Sequence, residues 1–578
     1  MKKNKYSSLE IFVFIWSNIK KKKKLILLLI FPIILIGSLS ESITITAIIP
    51  FLISIFEKHD SYAINLPLIN NLTFNNPQSV FNYLILIVFG ALFFRLTSIY
   101  FYSKWVSKVG TDFSDLAFSY FTNIEYTKYK KNSEVEVTNI MHTSINNTIA
   151  VIFSYITIFT SLITSLGFII TGLILNPKLF IVIFILLAII YTMILIFSRD
   201  KLSKVGNINH EYVQRSYKFI NYAYKSFKNI KLENSQSSIN RLYRENDDFR
   251  REKGHQKRVL TTYPKLIIEA FAILMMAIII KTISNNDINV TQFGIDIFVI
   301  SLILSRLLPV FQLIYYSWSN IKVCSFSVFK LKEFLSTRNQ SNIIKNKKIK
   351  SYKKLEKIDI QNLGQNYLKK DIFANLNFEI YSGEWIGIYG KSGSGKSTLI
   401  DILMGLEKPT TGRVLVNGKD IYKNNFYYSW RNQISHCPAE SSLFDSDVIS
   451  NIKSIFNEKE LNEENLEKAW YCAVLDDFLS IEECKRIFFN NKNIHHIQNI
   501  KNFSSGQQQR ISIAKTLYKD KILYTLDEFT NSLDKKTEAI ILNRMREIYE
   551  SKTIIIVSHK EKPLEYCDKL IDLYKYKK

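Results

Sequence analysis

Six apolar runs restrict this chain more than any other feature in it. They lie near residues 25–56, 82–103, 149–174, 179–198, 262–282 and 296–317. A hydrocarbon layer ~30 Å thick takes about 20 residues of helix, and each run is long enough or nearly so. Lipid offers no water to unpaired backbone groups, so each run is expected to be a transmembrane helix. The first is expected to extend past the bilayer. Ahead of it, "SLEIFVFIWSNIKKKK" has the aromatic and basic character of a helix lying in the interface. "KKKKKLILLLIFPII" leads into an apolar stretch too long for the core of a signal peptide, so no cleavable signal is expected.

Positive charge sets the orientation. The connections after runs one, three and five have only Lys58, Lys178 and Lys281 near them. Lys20–Lys24 and the stretches 104–148 and 199–261 are rich in Lys and Arg, which puts both chain ends in the cytoplasm. The net charge of +25 follows from this topology and from a composition heavy in Lys, Asn, Ile and Tyr. No nucleic-acid motif accompanies it, so no nucleic-acid partner is expected. Cys324, Cys437, Cys472, Cys484 and Cys567 lack metal-ligand spacing and fall on segments assigned to the cytoplasm, so they read as reduced thiols. The long cytoplasmic stretches stay helical in character ("FSDLAFSYFTNIEY", "SSINRLYRENDDFRRE").

Glu41, Arg95, Glu269 and Arg306 interrupt the apolar runs. A charge in lipid costs at least ~2.5 kcal/mol, so these residues should face the bundle interior or an aqueous cavity. Two readings stand side by side: acid–base pairing between helices, or a cavity that contacts a charged substrate. Pro32, Pro50 and Pro309 should kink their helices, where neighbours or water satisfy the freed carbonyls.

The stretch "STRNQSNIIKNKKIKSYKK" (336–354) is polar and without apolar periodicity, and reads as a linker between a membrane domain (1–335) and a second domain (355–578). The second domain changes pattern to short strands and turns. "FEIYSGEWIGIYG" gives two strands, the second running into Gly390, Lys391, Ser392, Gly393, Ser394, Gly395, Lys396, Ser397 and Thr398. This fits G-x-x-x-x-G-K-[ST] between a strand and the apolar helix "STLIDILMGL". The glycines let backbone N–H groups curl around the β- and γ-phosphates of ATP, and the helix N-terminus adds partial positive charge. Lys396 is expected to bridge phosphate oxygens and Ser397 to ligate Mg²⁺. "KILYTLDEF" reads as a buried parallel strand that delivers Asp527 and Glu528 to its C-terminal end. Asp527 would hold Mg²⁺ through water, and Glu528 would orient the attacking water as general base.

Between these elements, "FSSGQQQRISIAKTLYKD" resembles the signature sequence of ATP-binding cassette (ABC) transporters, at residues 503–510. "NSLD" (531–534) resembles the family's D-loop, "TIIIVSH" ends at a candidate switch histidine, His559, and Tyr367 stands where an adenine-stacking aromatic is expected. The resemblance extends over the six-run half. It implies a membrane all-α six-helix exporter domain followed by an α/β P-loop NTPase cassette, in a bacterial cytoplasmic membrane. It further implies a homodimer in which Ser504, Gly506, Gln507 and Asp534 meet the ATP of a second identical subunit. Segments within 115–135 and 215–232 resemble coupling helices, and ATP binding and hydrolysis would drive alternating access.

One departure stands out. Where the family has Gln after "V-P", this chain reads "SHCPAESSLFD", with Ala439; a methyl group ligates no metal. Phe503 and Ser505 also replace the usual Leu and Gly. "LSESITITAIIPFLISIF", "PKLIIEA" and "SRLLPVFQLI" are similar to stretches of bacterial flippases for lipid-linked oligosaccharides. Arg95, Lys265 and Arg306 would then present cations to an anionic lipid-linked glycan. Export of a peptide or drug-like amphiphile, without a leader-processing peptidase domain, and a membrane-tethered regulatory ATPase are the alternatives.

Overall fold

Every apolar run read from the sequence lies inside a long helix, and most of these helices continue well past their run. The structure, a computed structural model, describes residues 7–56, 62–66, 69–74, 77–130, 132–175, 177–284, 290–336, 354–367, 370–423, 426–444, 447–453, 461–489 and 500–576. All but the two end residues of the expected linker at 336–354 lie outside them. The chain divides into two units, Met1–Ile124 with Lys128–Asn342, and Glu125–Thr127 with Ile343–Lys578.

The first unit holds α1 (Ser8–Asn18), α2 (Lys21–Phe56), α3 (Pro77–Asn123), α4 (Ile145–Leu175), α5 (Pro177–Lys225), α6 (Gln236–Ser284) and α7 (Val290–Ser336). An antiparallel hairpin, β1 (Tyr62–Leu66) and β2 (Ile69–Phe74), connects α2 to α3, and the apolar pattern gave no sign of it. Among the described residues four stretches are long and apolar enough to cross a membrane: Lys21–Thr44, Gln78–Asn123, Glu134–Ile174 and Phe180–Lys225. The fifth and sixth runs fall in α6 and α7, where most side chains between 272 and 300 lie outside the described ones.

Helix α1 buries Ile11 and Ile15, with Ile19 buried just past its end, and exposes Leu9, Val13 and Trp16, with the Lys24 ammonium 4.9 Å from the Trp16 ring. An apolar underside with an aromatic, cation-flanked top is what an interfacial helix requires. Small residues let the long helices approach closely, as expected where packing rather than water drives association. A Cβ on Gly37 of α2 would stand 2.7 Å from Ser98 Oγ of α3, and Thr164 of α4 donates to the Ser38 carbonyl at 3.2 Å. The expected coupling segments carry short helices, Tyr126–Tyr129 and Glu134–Asn139 after α3, and Phe227–Leu232 after α5.

The second unit is built on two sheets. Strands β3 (Lys357–Tyr367), β4 (Lys370–Tyr381), β6 (Thr411–Val416) and β7 (Lys419–Asp420) form an antiparallel sheet, in the order β4-β3-β6-β7. Strands β5 (Trp385–Tyr389), β8 (Ile434–Cys437), β9 (Leu523–Asp527), β10 (Thr553–Val557) and β11 (Lys569–Asp572) form a parallel sheet, in the order β11-β5-β10-β9-β8. Strand β10 is buried throughout, as a central parallel strand must be. Ile554 and Ile556 enter one core with Trp470, Tyr524, Ile513 and Ile541; Ile555 and Val557 enter another with Leu399, Ile402, Val414 and Trp430. The period-two alternation of the pleat divides the two cores.

Gly206 of α5 gives the sharpest packing test. A Cβ there would lie 2.2 Å from the Val323 carbonyl oxygen of α7, and a backbone atom cannot rotate away. Gly206→Ala is expected to destabilise the helix bundle by about 1–3 kcal/mol, the usual range for overpacking. Thermal melting of purified protein in detergent checks it, as a downward shift of several degrees.

Candidate functional site

Three neighbouring parallel strands end together. In the ladder Val557 of β10 pairs with Ile388 of β5 on one side and with Asp527 of β9 on the other. The residues just past these ends, Gly390, Glu528 and His559, therefore meet at the carboxyl edge of the sheet, where open parallel sheets hold ligands. Two further bonds tie the edge: Glu528 N–H to the Val557 carbonyl at 2.9 Å, and Ser558 N–H to the Ile388 carbonyl at 3.3 Å.

The phosphate-loop residues lie where the motif places them, from the end of β5 into helix α8 (Lys396–Leu403). Gly393 and Gly395 have φ of 75° and 93°, in the left-handed region that favours glycine. A Cβ on Gly393 would meet nothing within 4 Å, so that turn is open on its outer side. Gly395 caps α8 without a side-chain bond, which leaves the first-turn N–H groups of the helix free for an anion. Ser394 Oγ is buried with no hydrogen-bond partner among the described residues. An uncapped helix start and an orphaned hydroxyl beside an ammonium fit a phosphate chain.

Lys396 Nζ lies 2.9 Å from the Gly390 carbonyl and 3.3 Å from that of Lys391, and 3.0 Å from His559 Nε2. Burial lowers the Lys396 pKa, while Glu528 and Asp527 oppose the shift. His559 Nε2 also stands 3.1 Å from Glu528 Oε1. One ring nitrogen cannot donate to the carboxylate and accept from the ammonium at once. With Nε2 protonated it serves Glu528, and Lys396 is satisfied by the two carbonyls. Asn531 Nδ2 holds the other oxygen, Glu528 Oε2, at 2.7 Å. Glu528 itself has φ of 47°, a left-handed conformation costing about 1–3 kcal/mol in a residue other than glycine. Such strain concentrates at functional positions.

Ser397 Oγ and Asp527 Oδ2 are 3.5 Å apart. Burial, then the neighbouring Glu528, raises the Asp527 pKa above the ordinary carboxyl value. A hydroxyl and a carboxylate are hard oxygen donors, and an uncompensated acidic pair is relieved by a divalent cation, so the residues fit Mg²⁺.

The second helix start is different. Ser504 caps α9 (Ser505–Leu517): its Oγ accepts from Gln507 N–H at 3.2 Å, and Gln507 Oε1 accepts from Ser504 N–H at 2.9 Å. This capping box commits the Gln507 side chain to its own helix, while the Ser504 hydroxyl hydrogen stays available. A Cβ on Gly506 would lie 2.9 Å from the Ser532 carbonyl oxygen, so the signature turn and the 531–534 loop touch backbone to backbone. Asp534 caps α10 (Lys535–Ile548) through Thr537 and Lys536 N–H. Those bonds, Thr537 first, hold its carboxyl below the usual range. The cap is thus charged at neutral pH, and its contribution fades only as pH falls into the acid range.

Tyr367 ends β3 with its ring 40% exposed and its hydroxyl bonded to Glu407, which also accepts from Gln365 Nε2 at 3.0 Å. Ala439 is half-buried and Glu440 exposed; the buried Gln509 amide reaches the Pro438 carbonyl at 3.5 Å. Sequence reasoning placed Asn531 at the head of the D-loop-like stretch but missed its bond to Glu528, although its place three residues later on a tight turn was a usable signal.

Among the described residues, two of the three membrane cations pair with acids. Arg95 pairs with Glu41 at 2.9 Å across α3 and α2, and Lys265 with Glu269 at 3.7 Å along α6. Pairing, one of the two readings of these charges, accounts for both acids. Arg306 makes no ion pair with any described residue.

Residues 373–531 match the family model described as ABC transporter. A probable ABC transporter ATP-binding/permease protein of Haemophilus influenzae is 27% identical over 325 residues, 56% of each chain. An ATP-dependent lipid A-core flippase of Syntrophus aciditrophicus is 28% identical over 221 residues, 38% of this chain and 35% of the flippase. The chain thus matches about half the length of the first relative and a third of the second. A solved bacterial Atm1-family ABC exporter with ATP bound superposes with a TM-score of 0.71 at 17% identity, covering 96% of this chain and 94% of that one. The chain has that exporter fold.

The Tyr367 geometry separates ring from hydroxyl. Tyr367→Phe should leave adenine-nucleotide affinity within about twofold, and Tyr367→Ala should weaken it about tenfold, as expected for loss of one stacking face. Titration with a fluorescent ATP analogue reads both.

Proposed function

We propose that this chain is one half of an ATP-driven exporter, with residues 1–335 as membrane domain, 336–354 as linker and 355–578 as ATP-binding cassette. The observation that carries this is the convergence of Lys396, Asp527, Glu528 and His559 at three adjacent strand ends. The family match over 373–531 and the exporter fold support it. The protein belongs on this reading in a bacterial cytoplasmic membrane, with the cassette in the cytoplasm.

Residues Gly390 to Thr398 cradle the phosphates of ATP, and Lys396 exchanges its two carbonyl partners for phosphate oxygens. Ser397 and Asp527 would hold Mg²⁺, which would supply positive charge beside the phosphates. Glu528 takes the proton of the attacking water, held in place by Asn531 on one oxygen and His559 on the other. Tyr367 stacks on adenine. Ser504 and Gly506, with the loop ending at Asp534, close over the ATP of a second identical subunit. Closure and release of the cassette pair then drive alternating access.

The cargo we infer is an anionic lipid-linked glycan. A lipid A-core flippase stands among the relatives, and Arg306 makes no ion pair with any described residue. Arg95 and Lys265 reach cargo only by loosening their carboxylate partners. Ala439 favours a second reading, a regulatory ATPase with weakened coupling; cargo-stimulated ATP hydrolysis distinguishes transport from it.

Glu528→Gln should cut phosphate release at least about 100-fold with ATP binding retained. Asn531→Ala should lower kcat about tenfold at nearly unchanged KM, because it releases the base without touching the phosphate loop. Equal kcat in the Glu528→Gln variant and the parent would remove Glu528 from its role. For cargo, proteoliposomes should flip a diphosphate-linked glycolipid only with hydrolysable ATP, and Arg306→Ala should slow flipping several-fold. Absence of flipping for every diphosphate-linked glycolipid would reject the cargo assignment while leaving the ATPase intact.

A further inference from the structure

Helices α5 and α6 part to leave a cleft of about 430 Å³. Lys201, Lys204, Val205 and Ile208 line it from α5, at the 3, 4 and 7 spacing of one helix face. Lys253, Val259 and Leu260 line it from α6. Lys201 comes three residues after the apolar run that ends near 198, and Leu260 two before the run that begins near 262. At ~1.5 Å per residue Lys201 and Leu260 mark a bilayer-side end within about 5 Å of both apolar boundaries, and the cleft reaches about 15 Å from those boundaries toward the cytoplasmic side. That bilayer-side end is at headgroup depth, on the side that carries the positive loops.

The charges of this cleft are not settled internally. Lys201 and Lys204 are exposed, and neither makes an ion pair or hydrogen bond with any described residue. Lys253 Nζ donates to Gln256 Oε1 at 3.1 Å and stands 5.0 Å from the Phe249 ring. Glu252, the carboxylate in the lining, accepts from Gln256 Nε2 at 2.9 Å and pairs with no lysine among the described residues. Two ammonium groups one turn apart repel each other, and a doubly accepting anion between them removes that repulsion. Val259 and Leu260, three and two residues before the apolar run of α6, make a floor suited to the first methylenes of an acyl chain.

We infer that this cleft binds the phosphate headgroup of an anionic lipid of the cytoplasmic leaflet, its phosphate on Lys201 and Lys204 and its glycerol end over the apolar floor. The shared chemistry is a phosphate; the floor and the headgroup depth select the lipid over free phosphate. This site is separate from the charges assigned to cargo and does not depend on the cargo reading.

The test uses the full chain in phosphatidylcholine nanodiscs with added phosphatidylglycerol, with bound lipid counted by native mass spectrometry. K201Q/K204Q should bind phosphatidylglycerol about thirtyfold more weakly, and K201R/K204R as the parent does. K21Q/K22Q, at another basic segment on the same side, should bind as the parent does. If the double glutamine variant does not fold, K201Q and K204Q singly, each about fivefold weaker, carry the test. Displacement of the lipid by inorganic phosphate supports recognition of the headgroup phosphate. Parent-like affinity in K201Q/K204Q, an equal loss in K21Q/K22Q, or binding of inorganic phosphate without any preference for phosphatidylglycerol would each overturn the inference.

Discussion

The register between β5, β10 and β9 is the constraint from which the cassette site follows. Hydrogen bonds that set Val557 opposite both Ile388 and Asp527 bring three strand ends to one line. A shift of one residue would turn every side chain of the moved strand to the other face and separate Glu528 from His559. The register is in turn protected by burial on both faces. Ile554 and Ile556 cannot trade places with Ile555 and Val557 without emptying one core and overfilling the other.

Within that frame, chemistry is set by groups held short of full satisfaction. Lys396 is drawn from water with two carbonyls and an imidazole as its hydrogen-bond partners, and Glu528 and Asp527 act on it without a direct bond. Asp527 carries a raised pKa from burial and a like charge beside it. Each is relieved by a partner of opposite sign, an anion for the first and a cation for the second, and Mg–ATP supplies both. The two helix starts divide the same way. Gly395 leaves the first turn of α8 uncapped, whereas Ser504 and Gln507 close the first turn of α9 on themselves.

The membrane unit is organised by close backbone approach and by paired charge. Glycine and serine at Gly37, Ser98 and Gly206 bring helices together where larger side chains would hold them apart. The Glu41–Arg95 pair lowers the cost of keeping charge among apolar helices. The basic cleft between α5 and α6 lies lower, at the level where lipid headgroups replace acyl chains.

The phosphate loop, the acidic strand end and the long apolar runs were legible in the order of residues, because each rests on local rules: helix length in lipid, glycine at left-handed turns, a hydrophobic strand ahead of a carboxylate. Hence the exporter architecture could be assigned, and the loop from Gly390 to Thr398 and Asp527 with Glu528 placed at the ends of their strands, before any contact was known. Three things depended on distant parts of the chain meeting. They are the approach of His559 to Glu528, the neutralisation of Arg95 by Glu41, and the cleft that gathers Lys201 and Lys204 opposite Lys253. Local propensity carries no term for which distant side chain arrives first at a carboxylate. Sheet register and helix packing decide that, and they exist only once the chain has folded.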